Sequence, residues 1–77
     1  MSFAEEFKNM RLECGMSQEK MAHQLNTAFG TLNRWEAGKT LPTMINMHAI
    51  MEFCEAHGID KERIFRSWKE EKVKGKK

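Results

Sequence analysis

Apolar side chains recur along this chain three and four positions apart, and nowhere do they alternate with period two. That spacing commits the chain to helices that each bury one face, because only a 3.6-residue period brings such positions together. Phe3, Phe7, Met10 and Cys14 form one such stripe. The β-branched residues are scattered, tyrosine is absent, and Pro42 is the only proline. Nothing therefore favours strands, and little interrupts helix. The expected class is all-α.

Short polar residues and glycines divide the pattern into five helices. Ser2 is placed to cap a helix from about Phe3 to Cys14, with Glu5 and Glu6 in its first turn and Gly15 as its stop. Ser17 caps a second, running to about Leu25 with Met21, Ala22 and Leu25 inward, and Asn26 and Thr27 break it. The third spans about Ala28 to Glu36. Residues placed 100° apart put Ala28, Leu32, Trp35 and Glu36 on one side and Gly30, Asn33, Arg34 and Ala37 on the other, with Phe29 and Thr31 on the flanks. Gly38 ends this helix and Pro42 closes the following loop. A fourth helix starts at either Thr43 or Asn46 and carries Met47, Ile50, Phe53, Cys54 and His57 on its inner face as far as Gly58. Asp60 caps a fifth, about Lys61 to Glu70, with Ile64, Phe65 and Trp68 as its apolar side. Residues 1–70 read as one domain, and 71–77 as a basic, disordered tail.

Size and charge narrow the function. A chain of 77 residues makes one domain, too small for a deep desolvated cleft. No nucleophile–base pairing and no phosphate-cradling glycine loop stands out, so no enzyme is expected. Cys54 and His57 stand one helical turn apart, but zinc wants two more ligands and only distant Cys14 is offered, so neither a metal nor a cofactor is expected. His23 and His48 read as structural or solvated. Cys14 and Cys54 form no C-x-x-C pair and read as free thiols in a reducing cytoplasm. There is no leader pattern or long apolar run, so no membrane span is expected, and no small-molecule ligand is evident. Net charge is only +2: residues 1–40 carry five basic and five acidic groups, and Lys69 to Lys77 holds five lysines against two glutamates. Overall charge thus argues only weakly for nucleic acid, and a specific site has to carry that case.

Two short helices joined by a three-residue break suggest a helix-turn-helix. Gly15-Met16-Ser17-Gln18-Glu19-Lys20-Met21-Ala22, continuing to Leu25, is followed by Thr31-Leu32-Asn33-Arg34-Trp35-Glu36-Ala37-Gly38-Lys39 and then Pro42. This pattern resembles the phage repressor and Cro type of helix-turn-helix, the XRE family, and the five-helix arrangement fits from Arg11 to Phe65. The resemblance implies a compact lambda-repressor-like fold and a transcriptional regulator, repressor-like, that binds a palindromic operator in double-stranded DNA as a homodimer. It implies that Gln18 touches the DNA backbone and braces the recognition helix, and that Arg11 pairs with Glu36. The recognition helix would place Phe29, Gly30, Asn33 and Arg34 at base edges. Arg34 suits guanine, Asn33 adenine, and Phe29 a thymine methyl. Ser17, Gln18, Thr31, Lys39 and Thr40 would meet phosphates.

Three positions depart from the family pattern. Ala28 stands where Ser or Thr usually caps the recognition helix, which leaves Thr27 as an alternative cap one residue earlier. Phe29 and Gly30 stand where polar readers are usual. Phe29 is open to three readings: a half-buried flank residue, a base contact, or a contact to another protein. Trp35 reads as core, since it shares the face of Leu32. Phe65 and Trp68 are the candidate dimer face, on the ground that a fold this small need not bury both. The rival function is a protein-interaction module, such as an antitoxin or adaptor subunit.

Overall fold

The reason each helix starts where it does is visible in its cap. In the computed structural model, which describes residues 2–74, Ser2 opens α1 (Phe3–Glu13) with a reciprocal pair of bonds. Its hydroxyl accepts the Glu5 N–H at 3.2 Å, and the Glu5 carboxylate accepts the Ser2 N–H at 3.2 Å. Ser17 opens α2 (Gln18–Gln24) by accepting the Lys20 N–H at 3.1 Å. Thr43 opens α4 (Met44–Ala56), accepting the Asn46 N–H at 3.3 Å. This resolves the two possible starts of that helix: Asn46 lies in its first turn, not at its cap. Asp60 precedes α5 (Lys61–Lys74) and accepts the Glu62 N–H at 3.1 Å.

α3 (Phe29–Glu36) is the exception. Its N-cap is Ala28, in extended conformation and with no side-chain cap bond. The helix therefore begins one residue later than expected, and Thr27 does not serve as its cap because it lies one position outside. Ala28→Ser supplies the missing acceptor for the Thr31 N–H. It is expected to stabilise the domain by about 1 kcal/mol, a rise in Tm of roughly 4–8 °C at this size. An unchanged melting curve would contradict this account of the helix start.

Between α2 and α3 the chain turns through Asn26, which adopts φ 56°. The Thr27 N–H reaches back to the Ala22 carbonyl at 2.9 Å, and the Asn26 N–H to that of His23 at 3.1 Å. Asparagine tolerates this left-handed position better than other side chains. The turn thus satisfies the last carbonyls of α2 while redirecting the chain.

α5 runs further than the apolar pattern indicates. The boundary expected after residue 70 falls inside it, because Glu71 accepts the Phe3 N–H at 3.3 Å and ties the end of α5 to the start of α1. The rest of the expected tail, residues 75–77, lies outside the described residues.

α1 packs on α3 and α5, α2 on α3, and α4 on α5. Their inner faces meet in one core that includes Phe3, Phe7, Met21, Leu32, Trp35, Ile50 and Ile64. Phe7 meets Trp35 edge-on, with centroids 5.8 Å apart. His57, expected inward, is instead exposed at the end of α4 and stacks on Phe53. Cys14 and Cys54 are free thiols. Burial holds the Cys54 thiol well above its ordinary range, at about 11.

Trp68 also departs from expectation. It is only 6% exposed, and its indole N–H donates to the Pro42 carbonyl at 2.8 Å. It is a core residue and cannot offer a dimer face. Phe65, stacked against it at 5.7 Å, remains half-buried.

Candidate nucleic-acid interface

One hydrogen-bonded chain joins the first three helices. The Arg11 guanidinium donates to both Glu36 carboxylate oxygens, Nε to Oε2 at 2.7 Å and a terminal nitrogen to Oε1 at 3.0 Å. Its other terminal nitrogen donates to the Met16 carbonyl at 2.8 Å, in the loop before α2. The side chains of the pair are 10% and 4% exposed. Bidentate geometry of this kind fixes orientation as well as charge. The bonded carboxylate raises the Arg11 pKa further above its ordinary value, against the opposing effect of burial, so Arg11 stays charged.

The same carboxylate reaches a third group. Gln18 Nε2 donates to Glu36 Oε1 at 3.0 Å. A carboxylate can only accept, so the amide must present its nitrogen to Glu36 and turn its oxygen outward. That oxygen accepts from Asn33 Nδ2 at 3.0 Å. The first residue of α2 is thereby fixed to two positions of α3, one turn apart. Among the described residues no buried side-chain nitrogen or oxygen lacks a partner.

The outer surface beside this network carries the other candidates. Phe29 is 50% exposed, and Gly30, Asn33 and Arg34 are exposed with it. A Cβ added at Gly30 would meet nothing within 4 Å, so glycine there is not required by packing. Asn33 spends one N–H on Gln18 and keeps its second N–H and its carbonyl oxygen for another partner. Arg34 makes no ion pair among the described residues. Ser17 is exposed but its hydroxyl is engaged in capping, while Gln18 and Thr31 are half-buried.

Lys39 and Thr40 follow α3 on an exposed loop. Gly38 adopts φ 76°, a region other side chains enter only with strain. There the Lys39 N–H reaches the Arg34 carbonyl at 3.0 Å and the Gly38 N–H that of Trp35 at 3.1 Å. The loop therefore leaves the helix in a defined direction.

Two features of this surface escape sequence reasoning. Lys8 of α1 lines a shallow depression with Gln18, Asn33 and Ala37, so it stands at the same face. The Met16 carbonyl completes the Arg11 environment. The helical spacing of α1 marks Lys8 only as an outward position, and nothing in the local sequence says which neighbour it faces.

Among the described residues no helix is long and apolar enough to cross a membrane, and no group of three His, Cys, Asp or Glu could hold a metal. A family model described as helix-turn-helix matches residues 7–58. No curated protein and no solved structure matches the chain.

Proposed function

Because the chain belongs to the XRE-type helix-turn-helix family, whose members bind DNA, we propose that it reads a specific operator as a homodimeric, repressor-like regulator of transcription. α3 enters the major groove with its N-terminal half at the base edges. Arg34 donates to guanine and Asn33 meets adenine. Phe29 lies against a thymine methyl, and Gly30 lets the helix approach the base edges closely. Ser17, Gln18, Thr31, Lys39 and Thr40 meet the sugar–phosphate strands and fix register, with Lys8 beside them.

The observation that carries this reading is the chain from Arg11 through Glu36 and Gln18 to Asn33. It holds α3 rigidly against α1 and α2 while Arg34 stays exposed. Preorganisation of that kind lowers the ordering cost of binding.

A single module brings few cationic side chains to the phosphates and so gains little from counterion release. Two modules on a palindrome, one helical turn apart, combine two such weak contacts. Phe65 is the side chain of the expected pair that stays accessible for self-association. The experiment is selection from a randomised duplex pool, followed by sedimentation of the complex. A two-fold palindrome bound by two chains supports the proposal. An unselected pool, or one chain per site, refutes it.

A protein-interaction role is the second reading, favoured by the half-exposed ring of Phe29 at the start of α3. Under that reading duplex binding is weak and the selection returns no consensus.

A further inference from the structure

α5 does more than close the core, because its last turns support the loop that follows the recognition helix. Trp68 donates its indole N–H to the Pro42 carbonyl, which fixes the end of that loop to α5. One turn later, Lys72 lays its ammonium over the Trp68 ring, 5.4 Å from the centroid. Lys72 thereby reaches the groove formed by Gly38, Lys39, Thr40 and Leu41 on one wall and α5 on the other, with Ser2 and Ala4 at its end. The groove has a volume of about 570 Å³. Lys39, Thr40 and Lys72 are all exposed.

The groove holds one acid, Glu71. Its carboxylate is turned to the Phe3 N–H at the start of α1, where the unpaired N–H groups of the first turn offset its charge. The groove's other charged side chains are Lys39 and Lys72, and both are exposed, as is Thr40 beside them. Together they suit an anion with several acceptor oxygens, and their neighbour along the chain is the surface assigned above to the duplex.

Building on that assignment, we infer that Lys72 and the Lys39–Thr40 loop form one clamp for a backbone phosphodiester of the DNA strand flanking the recognition helix. Trp68 is its positioning residue: its indole N–H holds the loop at Pro42 and its ring lies under the Lys72 ammonium. Such a contact carries no base preference, so it strengthens binding to every sequence alike and steepens the salt dependence.

The test is duplex binding by the full chain across a salt series, for wild type, Lys72→Met, Lys72→Arg and Arg66→Met. Methionine keeps an unbranched side chain of similar length beside Trp68 and removes the charge. Arg66 lines a different groove, with Met51 and Phe65, and serves as the control. Losing one phosphate contact from each of the two bound chains should lower the slope of log affinity against log salt by about 1.8, about 0.9 per chain. Between 50 and 200 mM salt, wild type should then lose roughly twelve-fold more affinity than Lys72→Met for the two-chain complex. Lys72→Arg and Arg66→Met should keep the wild-type slope. If Lys72→Met keeps it too, while Arg34→Ala still weakens binding, the clamp is overturned and the operator reading stands. If wild type binds no duplex, both fall. Inorganic phosphate that binds wild type but not Lys72→Met, and leaves duplex affinity unchanged at fixed ionic strength, would mark a free-phosphate site and would also overturn the inference.

Discussion

Glu36→Ala is expected to destabilise the domain by about 3 kcal/mol, near the lower end of the range for breaking a buried ion pair. At this size the Tm would fall by roughly 12–24 °C. The loss is large because three donors converge on that one carboxylate: two from Arg11 and one from Gln18. Removing it leaves a guanidinium whose side chain is 10% exposed with only the Met16 carbonyl to accept from it. It also releases Gln18, and with it the contact to Asn33. Restoring neutrality should recover part of the loss, so Arg11→Met combined with Glu36→Ala is expected to be more stable than Glu36→Ala alone. Chemical denaturation of the three proteins checks this. A single-variant loss below about 0.5 kcal/mol would place the pair among exposed ion pairs of little worth.

Trp68→Ala is expected to cost a similar amount or more, about 3–5 kcal/mol, because it empties a core site. The residue is 6% exposed and also holds the Pro42 carbonyl. Trp68→Phe separates the two contributions. It keeps most of the volume but leaves that carbonyl unpaired, for an expected loss of about 1–3 kcal/mol. Phe65→Ala, at a half-buried site, should cost clearly less than Trp68→Ala. Denaturation midpoints for the three variants decide the matter. A folded Trp68→Ala protein of near wild-type stability would return Trp68 to the surface and contradict its place in the core.

The burial of Trp68 shows where the sequence stops being informative. Periodicity puts Ile64, Phe65 and Trp68 on one side of α5, but it does not rank them. The ranking comes from a carbonyl 26 positions earlier, at the end of a loop. The length of α5 has the same character. Glu71 to Lys74 carry no apolar stripe, and their helix is anchored through the Phe3 N–H at the other end of the chain. By contrast, the starts of α1 and α2 are legible because their caps are local, each made within three residues, whereas at α4 both Thr43 and Asn46 are capping residue types and only the bond to Thr43 decides between them. The start of α3 is less legible, since Ala28 offers no cap signal and extended backbone alone marks it.

The candidate site was legible to a different degree in each of its parts. The partners Arg11 and Glu36, 25 positions apart, follow from a family resemblance and not from any spacing rule. That Gln18 also holds Asn33 depends on which way an amide turns, and only the meeting of α2 and α3 decides that. The placement of Lys8 beside α3, and of Lys72 beside the loop that follows it, needs the tertiary arrangement of α1 and α5.

The measurement that bears most directly on the operator reading is fluorescence anisotropy of the selected duplex with wild type and Arg34→Ala, at two salt concentrations. The Arg34 side chain is exposed and makes no ion pair among the described residues, and alanine keeps the backbone carbonyl that accepts the Lys39 N–H, so its loss should leave stability unchanged. The predicted result is a loss of about 1–3 kcal/mol in binding for each half-site, with preference relaxed at one base pair of each. Equal affinity of the two proteins for every duplex, with no sequence preferred, would contradict base reading by α3 and move the function of this surface to a protein partner.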